Sequence, residues 1–258
     1  MSLVTLISDY GVNTYYLASL KAAVINQIPE VTIVDVSHQI PQYDLSQAAF
    51  ILQNCLSDFK QKTVHIVAID TSLHQYKSIL IAESKNNWVI TVDNGFLSML
   101  NVPWDNVYKV LSNENEPSLS PEIQQFVPIA AKIFRNEPVE KYAVATSDYI
   151  KVANLKPVFD EKQLRATIVH VDGYDNAITN LNQQDFESWI AGNAYRIYYK
   201  RKEYLEKIEK SYADVSHGSG IALFNSKGWL EIAINKGQGK TLLGLKLGDQ
   251  IIIEKTND

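Results

Sequence analysis

The sequence predicts an α/β N-terminal domain with a largely parallel sheet, followed by a smaller C-terminal all-β, barrel-like domain. Three observations carry this expectation. Over roughly the first 150 residues, short β-branched apolar runs alternate with segments of helical period, the pattern of strands joined by crossover helices. Beyond about residue 144, helical periods give way to short β runs punctuated by glycine turns. Between these textures, residues 154–163 are polar and contain Pro157, so they read as a linker between residues 1–153 and 164–258.

The N-terminal elements follow in order. Residues 3–8 form a strand pattern ending at Asp9, and Gly11 marks a turn. A helix is predicted over 16–26, with Leu17, Leu20, Val24 and Ile28 on one face and Pro29 as its stop. Residues 31–36 form a second strand, with Asp35 inside an otherwise apolar run. Asp44 is placed to N-cap a helix over 45–56 that turns Ala48, Ala49, Ile51 and Leu52 inward. A third strand, 63–69, ends at Asp70. Residues 78–83 and 88–92 read as a strand pair, the second running into Asp93-Asn94-Gly95, and 126–135 as another helix. In the C-terminal half, strands are predicted over 165–171, 194–199, 220–225 and 230–235. Turns fall at Asp172-Gly173, Ser226-Lys227-Gly228 and Lys236-Gly237. The basic stretch 200–210 is broken by Glu203, Glu206 and Glu209 and reads as a solvated helix face.

Composition excludes several partners. The 258 residues are 46% apolar, enough for one large core or two modest ones. A net charge of −5 without a basic stripe argues against nucleic acid and anionic membranes. The chain shows no leader pattern and no apolar run of membrane-spanning length, and its one cysteine, Cys55, reads as a buried structural thiol; a cytoplasmic location is expected. The five histidines do not fall at metal-ligand spacing, so no metal is expected. His65 and His170 lie in strand patterns as packed or edge residues, whereas His74 follows Asp70 in a loop. Neither a glycine-rich dinucleotide fingerprint after the first strand nor a P-loop occurs, so no such cofactor is implied.

Ligands of open parallel sheets bind beyond the carboxyl ends of the strands. Asp9, Asp70 and Asp93 fall at such ends. A carboxylate there can accept two hydrogen bonds from a ribose diol, hold an ammonium, or help deprotonate a water. Aspartate is also common at strand ends simply because it caps turns.

An ordered series of motifs spans nearly the whole chain. It comprises Ser8-Asp9-Tyr10-Gly11, Val34-Asp35-Val36-Ser37-His38-Gln39-Ile40-Pro41 and Val92-Asp93-Asn94-Gly95-Phe96-Leu97-Ser98 in the first half. The second half adds Asp172-Gly173-Tyr174-Asp175-Asn176-Ala177-Ile178-Thr179-Asn180, Tyr212-Ala213-Asp214-Val215 and Asn225-Ser226-Lys227-Gly228-Trp229-Leu230-Glu231-Ile232-Ala233. In these the chain resembles the S-adenosylmethionine hydroxide adenosyltransferases, relatives of the fluorinases and chlorinases. The resemblance implies a homotrimer whose sites form between the N-terminal domain of one subunit and the C-terminal domain of its neighbour. It implies that S-adenosylmethionine or adenosine is the ligand, a substrate rather than a cofactor. By position, Asp9 would hold the ribose hydroxyls and Asp172 the methionine ammonium. Asn176 and the Lys236 backbone would read the adenine edge, and Ser226 would contact the methionine carboxylate. Tyr43 and Tyr174 would supply stacking or wall surface, and Asp93, Asn94 and Lys227 complete the binding set.

The implied reaction is displacement at the ribose 5′-carbon by water, giving adenosine and L-methionine. The family's hydrolases use an Asp-Arg-His set. Here Asp70 holds the aspartate position, Lys77 stands where arginine is found, and Pro121 occupies the histidine position. Lysine lacks the bidentate guanidinium fork, and proline has no acid or base. Two readings follow: a hydrolase using Asp70 with Lys77 and His74, the latter replacing the imidazole, or a non-catalytic binder of adenosine or S-adenosylmethionine that has lost its water-activating residues.

Overall fold

The computed structural model describes residues 2–71, 78–111 and 120–256. They fall into two compact units, Met1–Ala153 and Asn154–Asp258.

The first unit is built on strands β1 (Ser2–Ser8), β2 (Val31–Ser37), β3 (Thr63–Ala68), β4 (Ile79–Ser84), β5 (Asn87–Val92), β6 (Asn106–Val110) and β7 (Ala143–Ala145). Its helices are α1 (Tyr15–Gln27), α2 (Leu45–Leu56), the short α3 (Phe96–Met99) and α4 (Val127–Phe134), the last entered through a π-helical turn, Glu122–Phe126. The local signals explain the helix ends. Thr14 Oγ1 accepts from Tyr16 N at the start of α1, and Ile28 N closes its last turn on the Val24 carbonyl before Pro29. Asp44 Oδ1 accepts from Gln47 N at 3.0 Å, the expected cap of α2.

The sheet order is β2-β1-β3-β5-β4-β6-β7. The expectation of a largely parallel sheet needs correction. The pairings β2–β1, β1–β3 and β3–β5 are parallel, whereas β5–β4, β4–β6 and β6–β7 are antiparallel. The reason is local: β4 and β5 are joined by two residues, with Lys85 at φ 56°, and so short a loop cannot make the crossover that parallel strands require. Strand alternation divides the core between the two faces. Val4, Leu6, Val64 and Ile66 pack with Leu20 and Val24 of α1 and Ile129 of α4 on one face. Ile7, Val67 and Ile69 pack with Ala48 and Leu52 of α2 on the other.

The second unit comprises β8 (Val158–Phe159), β9 (Gln163–Val171), β10 (Ala177–Asn182), β11 (Tyr195–Tyr198), β12 (Tyr204–Leu205), β13 (Gly220–Phe224), β14 (Trp229–Ile234) and β15 (Gln250–Lys255), with helices α5 (Gln183–Ile190) and α6 (Gly239–Leu243). The order is β12-β11-β15-β9-β10-β14-β13, antiparallel throughout, with β8 added to β9. The two ends of this order approach each other. A Cβ on Gly220 of β13 would lie 3.5 Å from Leu205 of β12, and Glu209 N donates to the Ala222 carbonyl at 2.8 Å. The sheet is therefore nearly closed and barrel-like around Leu164, Ile168, Leu181, Ile197, Leu230 and Ile253.

That near-closure also corrects the reading of residues 200–210 as a helix face. No helix forms there; β12 pairs with β11, and Glu209 bridges Leu223. Hairpin pairing with β11 overrides the local charge pattern. Strands β6, β7, β8, β10 and β15 and helices α3, α5 and α6 were not among the predicted elements, although the start of β10 lies within the Asp172–Asn180 motif.

Candidate active site

Three parallel strands deliver the predicted acids. β1 pairs in register with β3, Ser8 opposite Ala68, and Asp9 N donates to the Ala68 carbonyl at 3.4 Å, so the ends of these strands are adjacent. Asp9 Oδ2 accepts from Tyr43 N at 3.0 Å, which joins these two predicted residues; Tyr43 sits at φ 64° and is 68% exposed. Behind Asp9, fully buried Ser8 Oγ lies 2.7 Å from His38 Nδ1, and His38 Nε2 lies 3.1 Å from Asp35 Oδ1 without hydrogen-bond alignment. Lys21 Nζ closes this chain on Asp35 Oδ2 at 2.6 Å. Burial pushes the Asp35 carboxyl up, but Lys21 and His38 outweigh it and hold it below its ordinary range. The Val34–Pro41 motif thus supplies a buttress for the end of β1.

Asp70 follows β3 in the left-handed region at φ 45°, a conformation that aspartate tolerates better than most residues. Asn94 holds it there. Asn94 Nδ2 donates to the carbonyls of Ile69 at 3.1 Å and Asp70 at 3.3 Å, while its Oδ1 accepts from Phe96 N at 3.1 Å. The rest of the Asp93–Ser98 motif ties down residues 150–152. Asp93 Oδ1 accepts from Ile150 N at 2.8 Å, Asp93 Oδ2 lies 3.9 Å from Lys109 Nζ, and Ser98 Oγ accepts from Val152 N at 2.8 Å. The carboxylate of Asp93 and the amide of Asn94 are both engaged with the chain itself. Lys77 and His74 lie outside the described residues.

The structure adds a group that sequence reasoning missed. Glu122, directly after Pro121, opens the π-helical turn and is only 3% exposed. Thr71 Oγ1 donates to Glu122 Oε1, and the Tyr10 hydroxyl also donates to this carboxylate. Burial pushes the Glu122 carboxyl above its ordinary range, against hydrogen bonds from Thr71 and Tyr10, with Asp9 adding to the rise. Burial, then the Glu122 charge, raises the Tyr10 hydroxyl as well. A Pro-Glu pair before a helix normally reads as an exposed first-turn acid favoured by the helix dipole, so the sequence offered no sign of burial.

The remaining predicted residues belong to turns of the second unit. Asp172, between β9 and β10, accepts from Tyr174 N and Asn176 N on Oδ1 (both 2.9 Å) and from Asn176 Nδ2 on Oδ2 (3.0 Å). Asn176 is buried, whereas Tyr174 is 82% exposed. Asp175, at φ 69°, accepts from Thr241 N at 2.7 Å and fixes the start of α6 against this turn. Ser226 and Lys227 are exposed on the turn between β13 and β14, which Asn225 shapes by accepting from Lys227 N and Trp229 N. Lys236 follows β14 in a left-handed turn at φ 53°. Buried Glu231 accepts from the Tyr212 hydroxyl and from Asn225 Nδ2; burial holds its carboxyl above the usual range. Glu231 and Tyr212 stood in quoted motifs, but only their packing shows them as a buried acid–phenol pair. Among the described residues, no three histidine, cysteine or acidic side chains are placed to hold a metal ion, and no helix is long and apolar enough to cross a membrane.

Acids gathered at the carboxyl ends of adjacent parallel strands, with polar turns on a barrel-like β unit, define an α/β-plus-β protein whose polar groups lie where open sheets take small ligands. The chain belongs to the SAM hydroxide adenosyltransferase family: the model of the family's N-terminal domain matches residues 4–143, and that of its C-terminal domain matches residues 166–252. A Methanocaldococcus jannaschii protein named (R)-S-adenosyl-L-methionine hydrolase is 24% identical, covering 98% of this chain and 96% of its own. A Thermus thermophilus protein of the same name is 23% identical, covering 94% and 95%. The crystal structure of an uncharacterized conserved protein from Thermotoga maritima shares the fold, with TM-score 0.87 and 24% identity over 98% of this chain and all of that one.

Proposed function

We propose that this protein hydrolyses S-adenosyl-L-methionine, water displacing L-methionine at the ribose 5′-carbon to leave adenosine. The observation that carries the reading is the pairing of Asp9 and Asp70 on adjacent strand ends, within a chain that matches the family in both units. The names of the full-length relatives support the same substrate.

In this reading Asp9 accepts from the ribose hydroxyls, and Asp70 orients the attacking water. Asp172 uses three of a carboxylate's roughly four acceptor sites within its own turn and offers the last to the methionine ammonium. Asn176 and the Lys236 backbone meet adenine, Ser226 and Lys227 the methionine carboxylate, and Tyr43 and Tyr174 form walls. Asp93 and Asn94 serve the site by fixing the Asp70 turn and its surroundings. Assembly as a homotrimer belongs to the same proposal and is checked by light scattering, where a monomer that still binds ligand tightly would contradict it.

The replacement of the family's arginine and histidine by Lys77 and Pro121 favours one competing reading, a binder without turnover. Incubation with S-adenosyl-L-methionine followed by chromatography separates the two. Adenosine in molar excess over protein supports hydrolysis, and ligand recovered intact supports binding alone.

A further inference from the structure

Loss of the imidazole leaves the hydrolysis without an obvious destination for its proton. As water attacks, its oxygen bonds to the 5′-carbon, and the carbon–sulfur pair leaves with sulfur, which becomes a neutral thioether. The leaving group takes no proton, so the one that water sheds must go to the protein or to solvent.

The structure assigns that destination to Glu122, with the Thr71 hydroxyl as the intermediary; this inference rests on the hydrolase reading above. Thr71 directly follows Asp70, the acid assigned to the water, and is half-buried. It already donates to Glu122 Oε1. Glu122 is too deeply buried to meet solvent, and the other side chain that donates to it, Tyr10, directly follows Asp9. One carboxylate thus joins the residues after both strand-end acids. In the step, Thr71 Oγ1 takes a proton from the attacking water while passing its own to Glu122, and the count of protons closes with Glu122 neutral. Burial makes this carboxylate a better proton acceptor than an exposed one, because it disfavours the charged form. The groups facing it are Tyr10 and Asp9 from the end of β1, Thr71 from the end of β3 and the backbone N–H of Glu122 itself; Tyr16 of α1 meets Tyr10, their ring centroids 5.9 Å apart and the rings tilted.

The test measures kcat and KM for S-adenosyl-L-methionine against pH in the full-length protein and in Glu122→Gln, Glu122→Asp, Thr71→Val and Thr71→Ser, with adenosine binding by calorimetry to show an intact site. Wild-type kcat is expected to fall on the acid side as a carboxyl of raised pKa takes up its proton. Glu122→Gln and Thr71→Val should each lower kcat by about 100-fold or more and abolish that acid limb, with KM changed less than about twofold. Their combination should cost no more than either alone, whereas Glu122→Asp and Thr71→Ser should restore part of the rate. A Glu122→Gln variant with wild-type kcat and pH profile overturns the assignment. So does an acid limb that survives in Glu122→Gln but disappears in His74→Ala, which would give the proton to the imidazole. Wild-type protein without turnover overturns the hydrolase reading itself.

Discussion

Asn94 Nδ2 donates to the Ile69 carbonyl at 3.1 Å, so the turn after β5 holds the turn after β3. The same amide reaches the Asp70 carbonyl, and Asn94 is buried. Replacing it with alanine leaves two carbonyls without this donor. Asn94→Ala should lower unfolding free energy by about 1–3 kcal/mol in urea titrations. It should also reduce turnover, because Asp70 loses the contact that keeps it in the left-handed conformation. A variant as stable and as active as the parent would show that the Asp70 turn needs no such clamp.

Gly95 is fixed by both conformation and space. Its φ is 93°, and a Cβ there would sit 2.5 Å from Val152 Cγ2 and 3.4 Å from Ile150 Cγ2. Gly95→Ala should destabilise the protein by more than ~1 kcal/mol. Adding Val152→Ala should recover only part of the loss, since it removes the clash but not the backbone strain. Full recovery in thermal melts would assign the whole effect to sterics.

His65 gives the protein a defined pH response. It is fully buried, with Nδ1 2.7 Å from Thr5 Oγ1 and Nε2 3.0 Å from Asn87 Oδ1. Asn87 Nδ2 points at the Phe59 carbonyl, so its Oδ1 faces the ring; Nε2 donates and Nδ1 accepts from Thr5. Burial pushes the imidazole down to about 4 from an ordinary 6.5. The unfolded chain therefore binds a proton before the folded one as pH falls. Stability should drop across the window from 6.5 to 4 by about 3 kcal/mol from this group. Urea midpoints at several pH values should show a shallower slope in His65→Gln; an unchanged slope would exclude His65 as the source.

Ligand binding should respond to both units. Asp9→Ala should weaken adenosine binding by roughly 1.5–3 kcal/mol, the usual worth of a hydrogen bond to a charged group. Asn176→Ala should weaken it too, by removing the amide proposed to meet adenine and loosening the Asp172 turn. Calorimetry showing wild-type affinity in both variants would sink the ribose and adenine assignments.

Asp70 should matter to chemistry more than to affinity. Asp70→Ala should remove most adenosine production while adenosine still binds, because the carboxylate is assigned to the water rather than to the nucleoside. Loss of binding in parallel with turnover would instead make Asp70 a ligand contact.

The sequence by itself determined the elements whose cause is local. Period-3.6 apolar spacing and the Asp44 cap specified α2, β-branched runs specified β1 to β3, and the ordered motifs identified the family because each is a short contiguous string. It also placed Asp9, Asp70 and Asp93 at strand ends, since that follows from where an apolar run stops. What those residues do there was decided by contacts between distant segments. Asp93 bonds 57 positions away to Ile150, and Thr71 bonds 51 positions away to Glu122. The burial of Glu122 and Glu231 arises in the same way, whereas the antiparallel half of the first sheet and the strand at 204–205 follow from short hairpin loops whose turn signals did not stand out in the sequence. A carboxylate's acidity depends on the water excluded from it and on the donors brought to it, and no window of adjacent residues contains either.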